Sequence, residues 1–227
     1  MFNHSGLTRS ISRGHRLHPA LIPILRYDEG FKRALDIIIA TLCLPIVLPI
    51  IMIMCLIVRR DGGCALFGHK RIGRYGNAFS CLKIRTMVPD AQARLETLLE
   101  TDPRARADWD RNQKLDVDPR VTAIGDILRR TSLDELPQIW NVFKGEMSFV
   151  GPRPVTEAEL VRYGESASAY KALRPGITGL WQVSGRNDVS YHERVAFDVV
   201  YYRTISAMTD LKILLCTFSV VMAKTGR

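Results

Sequence analysis

Residues Ile37 to Val58 form an unbroken run of 22 uncharged, mostly apolar side chains, IIIATLCLPIVLPIIMIMCLIV, closed by Asp36 on one side and by Arg59 and Arg60 on the other. As a helix the run rises about 33 Å, enough to match the hydrocarbon thickness of a bilayer. Two features complicate a simple crossing. Pro45 and Pro49 stand mid-run, where each removes a backbone donor and crowds the preceding turn. Both flanks are basic, with Arg26, Lys32 and Arg33 before the run and Arg59 and Arg60 after it, and positive charge is held on the cytoplasmic side. A spanning helix puts one basic flank on the wrong face. A helix broken at Leu48–Pro49 that enters and returns to the same face satisfies both flanks, provided the freed carbonyls find donors, Thr41 among them. The residues by themselves leave both arrangements open.

Around this run the chain divides into a basic tail, residues 1–27, a membrane segment, 28–60, and a cytosolic domain, 61–227. The tail is rich in Ser, Arg and His and is expected to be poorly ordered; a signal peptide would carry its apolar stretch much nearer Met1. Ile213 to Ala223 is apolar but only eleven residues long, too short to cross, and reads as an interfacial amphipathic helix or a core helix. Hydrophobic residues at 47% and charged residues at 24% exclude a disordered chain. The formal net charge of +9 suits an anionic partner, whether nucleic acid, anionic lipid or a phosphorylated small molecule, although general solubility gives the same sign. No recognition-helix, RNP or zinc-finger pattern supports nucleic acid. Cys43, Cys55, Cys64, Cys81 and Cys216 form no CxxC pair and read as reduced, small apolar side chains.

The expected fold of the remainder is α+β and helix-dominated. Glycine-punctuated alternation over Ala65–Phe67 and Phe79–Leu82, with a turn near Gly73 to Gly76, predicts two short strands. Pro89 opens a helix from Asp90 to about Glu100. The charged stretch from Asp102 to Asp118 is expected to be helical and solvated. Asp118 is the expected cap of a helix from Arg120 to Arg130, and Ser132 of one from Leu133 to Lys144 ending at Gly145. Asp188 to about Tyr202 is read as a further helix.

The chemistry is concentrated in Thr131-Ser132-Leu133-Asp134-Glu135-Leu136-Pro137. Adjacent carboxylates at a helix start are favoured by the helix dipole alone. Here, however, Arg129 and Arg130 precede them, and three glycine- and proline-framed turns present arginines: Gly151-Pro152-Arg153-Pro154, Arg174-Pro175-Gly176 and Gly185-Arg186-Asn187-Asp188. The guanidinium fork donates two parallel hydrogen bonds to phosphate oxygens. Together these features point to a phosphate site. A carboxylate can attack phosphorus and form an acyl phosphate, and its neighbour can help hold Mg²⁺, which takes oxygen ligands and bridges substrate phosphates. Residues 134 and 135 lie about 100° apart on a helix, so different roles suit them. Lys83 is read as functional beside Arg85, whereas Trp140, Trp181 and Tyr191 are read first as core or membrane-interface anchors. Asp36 is expected to pair with a cation.

These motifs resemble those of the bacterial sugar transferases, the monotopic polyprenyl-phosphate sugar-1-phosphate transferases. The resemblance runs from Phe31 to the C-terminus through FKRALD (Phe31 to Asp36), GHKRIG (Gly68 to Gly73), LKIRTM (Leu82 to Met87), SLDELPQ (Ser132 to Gln138), GEMSFVGPRP (Gly145 to Pro154) and RPGITGLWQVSGRNDVSY (Arg174 to Tyr191). The short galactosyl-1-phosphate transferases that begin exopolysaccharide repeat units are the nearest in character; the long forms carry further N-terminal membrane helices and a nucleotide-binding-like domain.

The resemblance implies a ping-pong reaction at the cytoplasmic face of the bacterial inner membrane. Asp134 would attack the β-phosphate of a UDP-sugar, UMP would leave, and undecaprenyl phosphate would collect the hexose-1-phosphate, galactose before glucose. Glu135, with Asp134, would serve Mg²⁺, and Lys83, Arg129 and Arg153 would face phosphates, with Arg174 and Arg186 matching later family arginines. It also favours the re-entrant hairpin, membrane lipids as partners and no nucleic acid. One departure concerns the break itself, since family members often carry Ser before the helix-breaking proline, and here Leu48 precedes Pro49. A homodimer through the charged stretch or the C-terminal helix is compatible with the sequence. The alternative is a non-catalytic, membrane-tethered scaffold in polysaccharide assembly, in which Asp134 and Glu135 only cap a helix.

Overall fold

The computed structural model describes residues 27–112, 115, 118–184 and 189–222. The basic tail before residue 27 and the Gly185–Asp188 turn, with Arg186, lie outside the described residues. Among the described residues the fold is helix-dominated α+β with two two-stranded sheets. Its described residues form two compact units, one drawn from residues 27–44, 69–81 and 138–222, the other from 45–68 and 82–137.

A π-helical turn, Tyr27–Phe31, leads into helix α1, Lys32–Val58. Among the described residues α1 is the one helix long and apolar enough to cross a membrane. Ile38, Leu42, Ile46, Met52, Ile53 and Leu56 are exposed on it. Pro45 and Pro49 are both inside the helix, so the expected break at Leu48–Pro49 is not a loss of helical structure. By the i to i−4 rule the prolines free the carbonyls of residues 41 and 45. The Thr41 hydroxyl, expected to answer such a carbonyl, instead donates to Ile37 O one turn earlier, at 2.8 Å.

In the first unit, the start of α1 is fastened by charge. Lys32 is buried and hydrogen-bonds Asp210, which also accepts from Tyr27 Oη at 3.0 Å and Tyr201 Oη at 2.6 Å. Asp36 takes no hydrogen bond from a cation; its Oδ1 accepts from Ser148 Oγ at 3.0 Å and Phe149 N at 3.1 Å. The cation expected to pair with Asp36 is not paired with it: the adjacent Lys32 is bonded to Asp210 instead. Strands β3 (Ser148–Val150) and β4 (Gly176–Thr178) pair in parallel, Ser148 against Gly176 and Val150 against Thr178. A Cβ at Gly151 would stand 2.3 Å from Arg174 O, so glycine is required for the two strands to close. After the short helices α6 (Glu157–Val161), α7 (Ala167–Lys171) and α8 (Leu180–Ser184), helices α9 (Tyr191–Thr204) and α10 (Ala207–Met222) complete this core, where Val150, Leu173, Leu180, Tyr201, Ile205 and Ile213 are buried together. The capping box of Ser190 and Glu193 starts α9 three residues later than the sequence reading.

The second unit carries the N-terminal part of β1 (Leu66–Ile72) and the C-terminal part of β2 (Ala78–Ile84), which pair with each other as the expected hairpin. Helix α2 covers Ala91–Thr101 and α3 Pro103–Asn112, the latter begun by the Asp102 carboxylate accepting from Arg104 N at 2.8 Å. Helix α4 is Ala123–Thr131, capped by Thr122, whose hydroxyl accepts from Gly125 N at 2.9 Å. Asp118, the expected cap, is instead bound by Arg120 through Nε at 2.8 Å and Nη2 at 2.7 Å. Arginine two residues on outcompetes the helix terminus because a bidentate charged pair is the stronger partner. Val58, Ala65, Ile84 and Leu128 form the buried centre, with Leu128 fully buried, worth about 1.5–3 kcal/mol for such a side chain.

Gly125 determines how α4 packs. A Cβ there would lie 2.0 Å from Thr86 O, so the helix can approach that backbone only because the position is glycine. Gly125→Ala is expected to lower stability by about 1–3 kcal/mol through overpacking, read as a lower Tm of the purified protein. Gly30→Ala, where an added Cβ meets nothing within 4 Å, is the control and should change Tm little; equal Tm for both variants would refute the close-packing account.

Candidate functional site

The site in the second unit is built from the end of β2 and the end of α4. Past β2 the chain stays strapped to the start of α4, with Val88 N donating to Arg120 O at 2.9 Å and Thr122 N to Thr86 O at 3.1 Å. At the other end of α4, Ser132 adopts φ +57°, and its N–H turns back to Arg129 O at 3.2 Å. Ser132 is thus a left-handed C-cap of α4, not the N-cap of a following helix. The expected helix from Leu133 to Lys144 is correspondingly divided into a 3₁₀ turn, Leu133–Glu135, and a short helix α5, Gln138–Lys144, on either side of Pro137. The left-handed residue reverses the chain, so that Leu133 packs on the Leu128 core while the two carboxylates meet Lys83.

Lys83 Nζ donates to Glu135 Oε1 at 2.6 Å and stands 3.5 Å from Asp134 Oδ2. Asp134 is 7% exposed. Burial raises its carboxyl pKa, the Lys83 charge works against that rise, and the Glu135 charge adds to it. Arg129 is close enough to favour the charged form as well, and its Nε donates to Thr86 Oγ1 at 2.9 Å. The structure therefore gathers Lys83, Arg129, Asp134 and Glu135 as the sequence proposed. It adds Thr86, which orients Arg129; Thr86 lies three residues after Lys83 within the LKIRTM motif, but its side chain carries no charge that would have set it apart in the sequence. The two carboxylates of the site offer oxygen donors of the kind Mg²⁺ takes. Among the described residues no cluster of three acidic, histidine or cysteine side chains could hold a metal ion.

The later arginines belong to the first unit. Arg174 Nε donates to Gly145 O at 3.1 Å, and Arg33 Nη2 to Phe143 O at 2.8 Å, so both satisfy carbonyls at the C-terminal end of α5. Arg153 lies over the Trp181 ring, 5.6 Å from its centroid. Trp181 itself is buried, as its reading as a core aromatic anticipates, whereas Trp140 is exposed. All five cysteines are free thiols.

A family model described as bacterial sugar transferase matches residues 27–224, and the chain belongs to that family. It is 52% identical over 195 residues to the UDP-galactose-lipid carrier transferase of Erwinia amylovora, covering 86% of this chain and 41% of that protein. It is 49% identical over 201 residues to the undecaprenyl-phosphate galactose phosphotransferase of Salmonella typhimurium, covering 88% and 42%. The chain thus spans about two fifths of the length of these relatives. With the exopolysaccharide production protein ExoY of Sinorhizobium fredii it shares 47% identity over 196 residues, 86% of this chain and 87% of that one.

The buried carboxyl gives a pH signature. The folded protein holds the Asp134 proton more tightly than the unfolded chain, whose value is near 3.8. Above the folded pKa the ionised carboxylate therefore costs stability, and the cost disappears as pH falls through the folded value towards the unfolded one. Asp134→Asn cannot ionise and leaves Lys83 its Glu135 partner. Its Tm should exceed that of the wild type at about pH 7.5, with the gap shrinking by about pH 4. A gap that widens on acidification would reverse the assigned direction.

Proposed function

We propose that this chain transfers a hexose-1-phosphate from a UDP-sugar to undecaprenyl phosphate, through a sugar-phosphoryl group carried on Asp134, as the first membrane step of exopolysaccharide or surface glycan assembly. The observation that carries the reading is the charge state around Asp134. It is a desolvated carboxylate whose side chain meets one polar partner among the described residues, Lys83, at 3.5 Å, while Glu135 takes the shorter bond at 2.6 Å. A nucleophilic carboxylate needs a lone pair not saturated by donors.

In the first half-reaction a carboxylate oxygen of Asp134 bonds to the β-phosphorus, and the bond from that phosphorus to the bridging oxygen breaks. UMP departs with the bridging oxygen and its electron pair. In the second, an oxygen of undecaprenyl phosphate bonds to the same phosphorus, and the acyl phosphate bond to Asp134 breaks, returning the carboxylate. Lys83 and Arg129 offset negative charge as the phosphoryl group arrives. Glu135, with Asp134, would hold Mg²⁺, which supplies charge neutralisation at the phosphate oxygens. Galactose is the first candidate sugar, as two relatives near 50% identity are named for galactose, and glucose the second.

The exposed apolar side chains of α1 support immersion in the bilayer. Basic residues at both ends support a re-entrant path with the catalytic residues on the cytoplasmic face of the inner membrane, Pro45 and Pro49 supplying the bend.

Two experiments test this. Purified protein incubated with radiolabelled UDP-galactose or UDP-glucose and Mg²⁺, with no lipid acceptor, should retain label that Asp134→Asn does not. Label retained equally by both proteins removes Asp134 as the nucleophile. Single cysteines placed at Tyr27 and at Arg60, in a background without native cysteines, should both react with an impermeant maleimide only from the cytoplasmic side; reaction from opposite sides means that α1 spans.

A further inference from the structure

The first unit holds a second concentration of arginine. Arg71, Arg153, Arg162 and Arg194 surround Glu159, Asp198 and Tyr191. Two of the four are accounted for. Arg71 Nη1 is paired with Glu159 Oε2 at 2.8 Å, and Arg162 lies over the Tyr191 ring at 3.8 Å. The carboxylates are also committed. Glu159 accepts from Thr156 N at 2.8 Å in the capping box of helix α6 (Glu157–Val161), and Asp198 accepts from Tyr163 Oη at 2.8 Å. Burial pushes the Asp198 carboxyl up to about 7, which makes it a weak counter-ion near neutrality.

Arg153 and Arg194 are different. Their guanidinium carbons lie 5.6 and 4.8 Å from the centroid of one indole ring, that of Trp181. Neither makes an ion pair with a carboxylate among the described residues, and Arg194 Nε donates to Val189 O at 3.3 Å. Burial first, and then the Arg153 charge, lower the Arg194 pKa, while the Glu159 charge works against them. Between them lies the second observation. Trp181 is 6% exposed, and its Nε1–H is the one buried side-chain polar atom among the described residues without a hydrogen-bond partner. Native chains seldom bury a donor unpaired, and where they do, strain, a catalytic role, or a water or ion at the site accounts for it.

We propose that Trp181 Nε1–H, Arg153 and Arg194 form an anion subsite that binds a phosphoryl group of a substrate. The chemistry selects the ligand class. The three side chains offer only donors and carry two positive charges, so an acceptor bearing negative charge on several oxygens satisfies them together, and a guanidinium fork matches phosphate oxygens in pairs. A neutral base such as uracil would leave both charges uncompensated. The inference deepens the transferase reading and rests on it for the identity of the phosphorylated ligand, but not for the existence of the subsite. Arg194 and Trp181 fall outside the residues that the sequence marked as phosphate contacts.

Isothermal titration with UMP and, separately, with a short-chain prenyl phosphate in detergent tests it on the full chain. Trp181→Phe keeps a ring under both guanidinium groups and removes only the N–H. About tenfold weaker binding of at least one ligand is expected for it, and at least as much for Arg194→Gln, since both remove donors to a charged acceptor. Arg194→Lys, which keeps the charge and loses the fork, should recover part of the affinity and decides the matter if Trp181→Phe does not fold. Weakening for UMP alone assigns the subsite to the donor, weakening for the prenyl phosphate alone to the acceptor, and weakening for both to a shared phosphoryl position. Wild-type affinity for both ligands in folded Trp181→Phe and Arg194→Gln overturns the proposal. If the wild type takes no label from any UDP-sugar but binds UMP through these residues, the covalent reading falls and the subsite stands.

Discussion

The approach of α4 to the Thr86 backbone, possible because residue 125 has no side chain, is the contact on which the candidate catalytic site rests. It lets Leu128 reach the buried centre and Arg129 reach Thr86 Oγ1. It also delivers the end of α4 to the place where a left-handed Ser132 can turn Asp134 and Glu135 onto Lys83. Each step is local in cause. A glycine removes a clash, a threonine caps the helix start, and one residue at positive φ reverses the chain, yet the product is a lysine and two carboxylates drawn from positions 83, 134 and 135.

That trio is electrostatically unequal. Lys83 is close to Glu135 and more distant from Asp134, while Asp134 is the more buried carboxylate. Two acids of the same chemical type, adjacent in sequence, are thereby given different environments: one neutralised by a short charged hydrogen bond, the other desolvated and less completely paired. Such separation is how a pair of carboxylates acquires two roles.

Arginine is used in two ways. Arg33 and Arg174 are consumed by carbonyls at the end of α5, and Arg71 and Arg120 by carboxylates. Their positions follow from backbone and side-chain acceptors already present in the fold. Arg153 and Arg194 cover an indole and make no ion pair with a carboxylate among the described residues, the arrangement on which the proposed anion subsite rests.

Much of this was legible from residue order. The apolar run announced a membrane-length helix because its length and lack of charge admit little else, and the motifs around Asp134 and Glu135 announced the bacterial sugar transferase family because they stand contiguous in the chain. Helix caps were less legible. Ser132 and Asp118 have the composition of N-caps, but whether a short polar side chain caps depends on the φ of its own residue and on competing partners, here a left-handed turn and Arg120. Local propensity cannot rank those alternatives. The pairing of β3 with β4, the partnership of Lys32 with Asp210, the service of Arg174 to Gly145 O and the unpaired indole N–H of Trp181 were decided by tertiary structure alone. Each depends on which groups, distant in sequence, are excluded from water together, and desolvation is a property of the packed chain that no residue carries by itself.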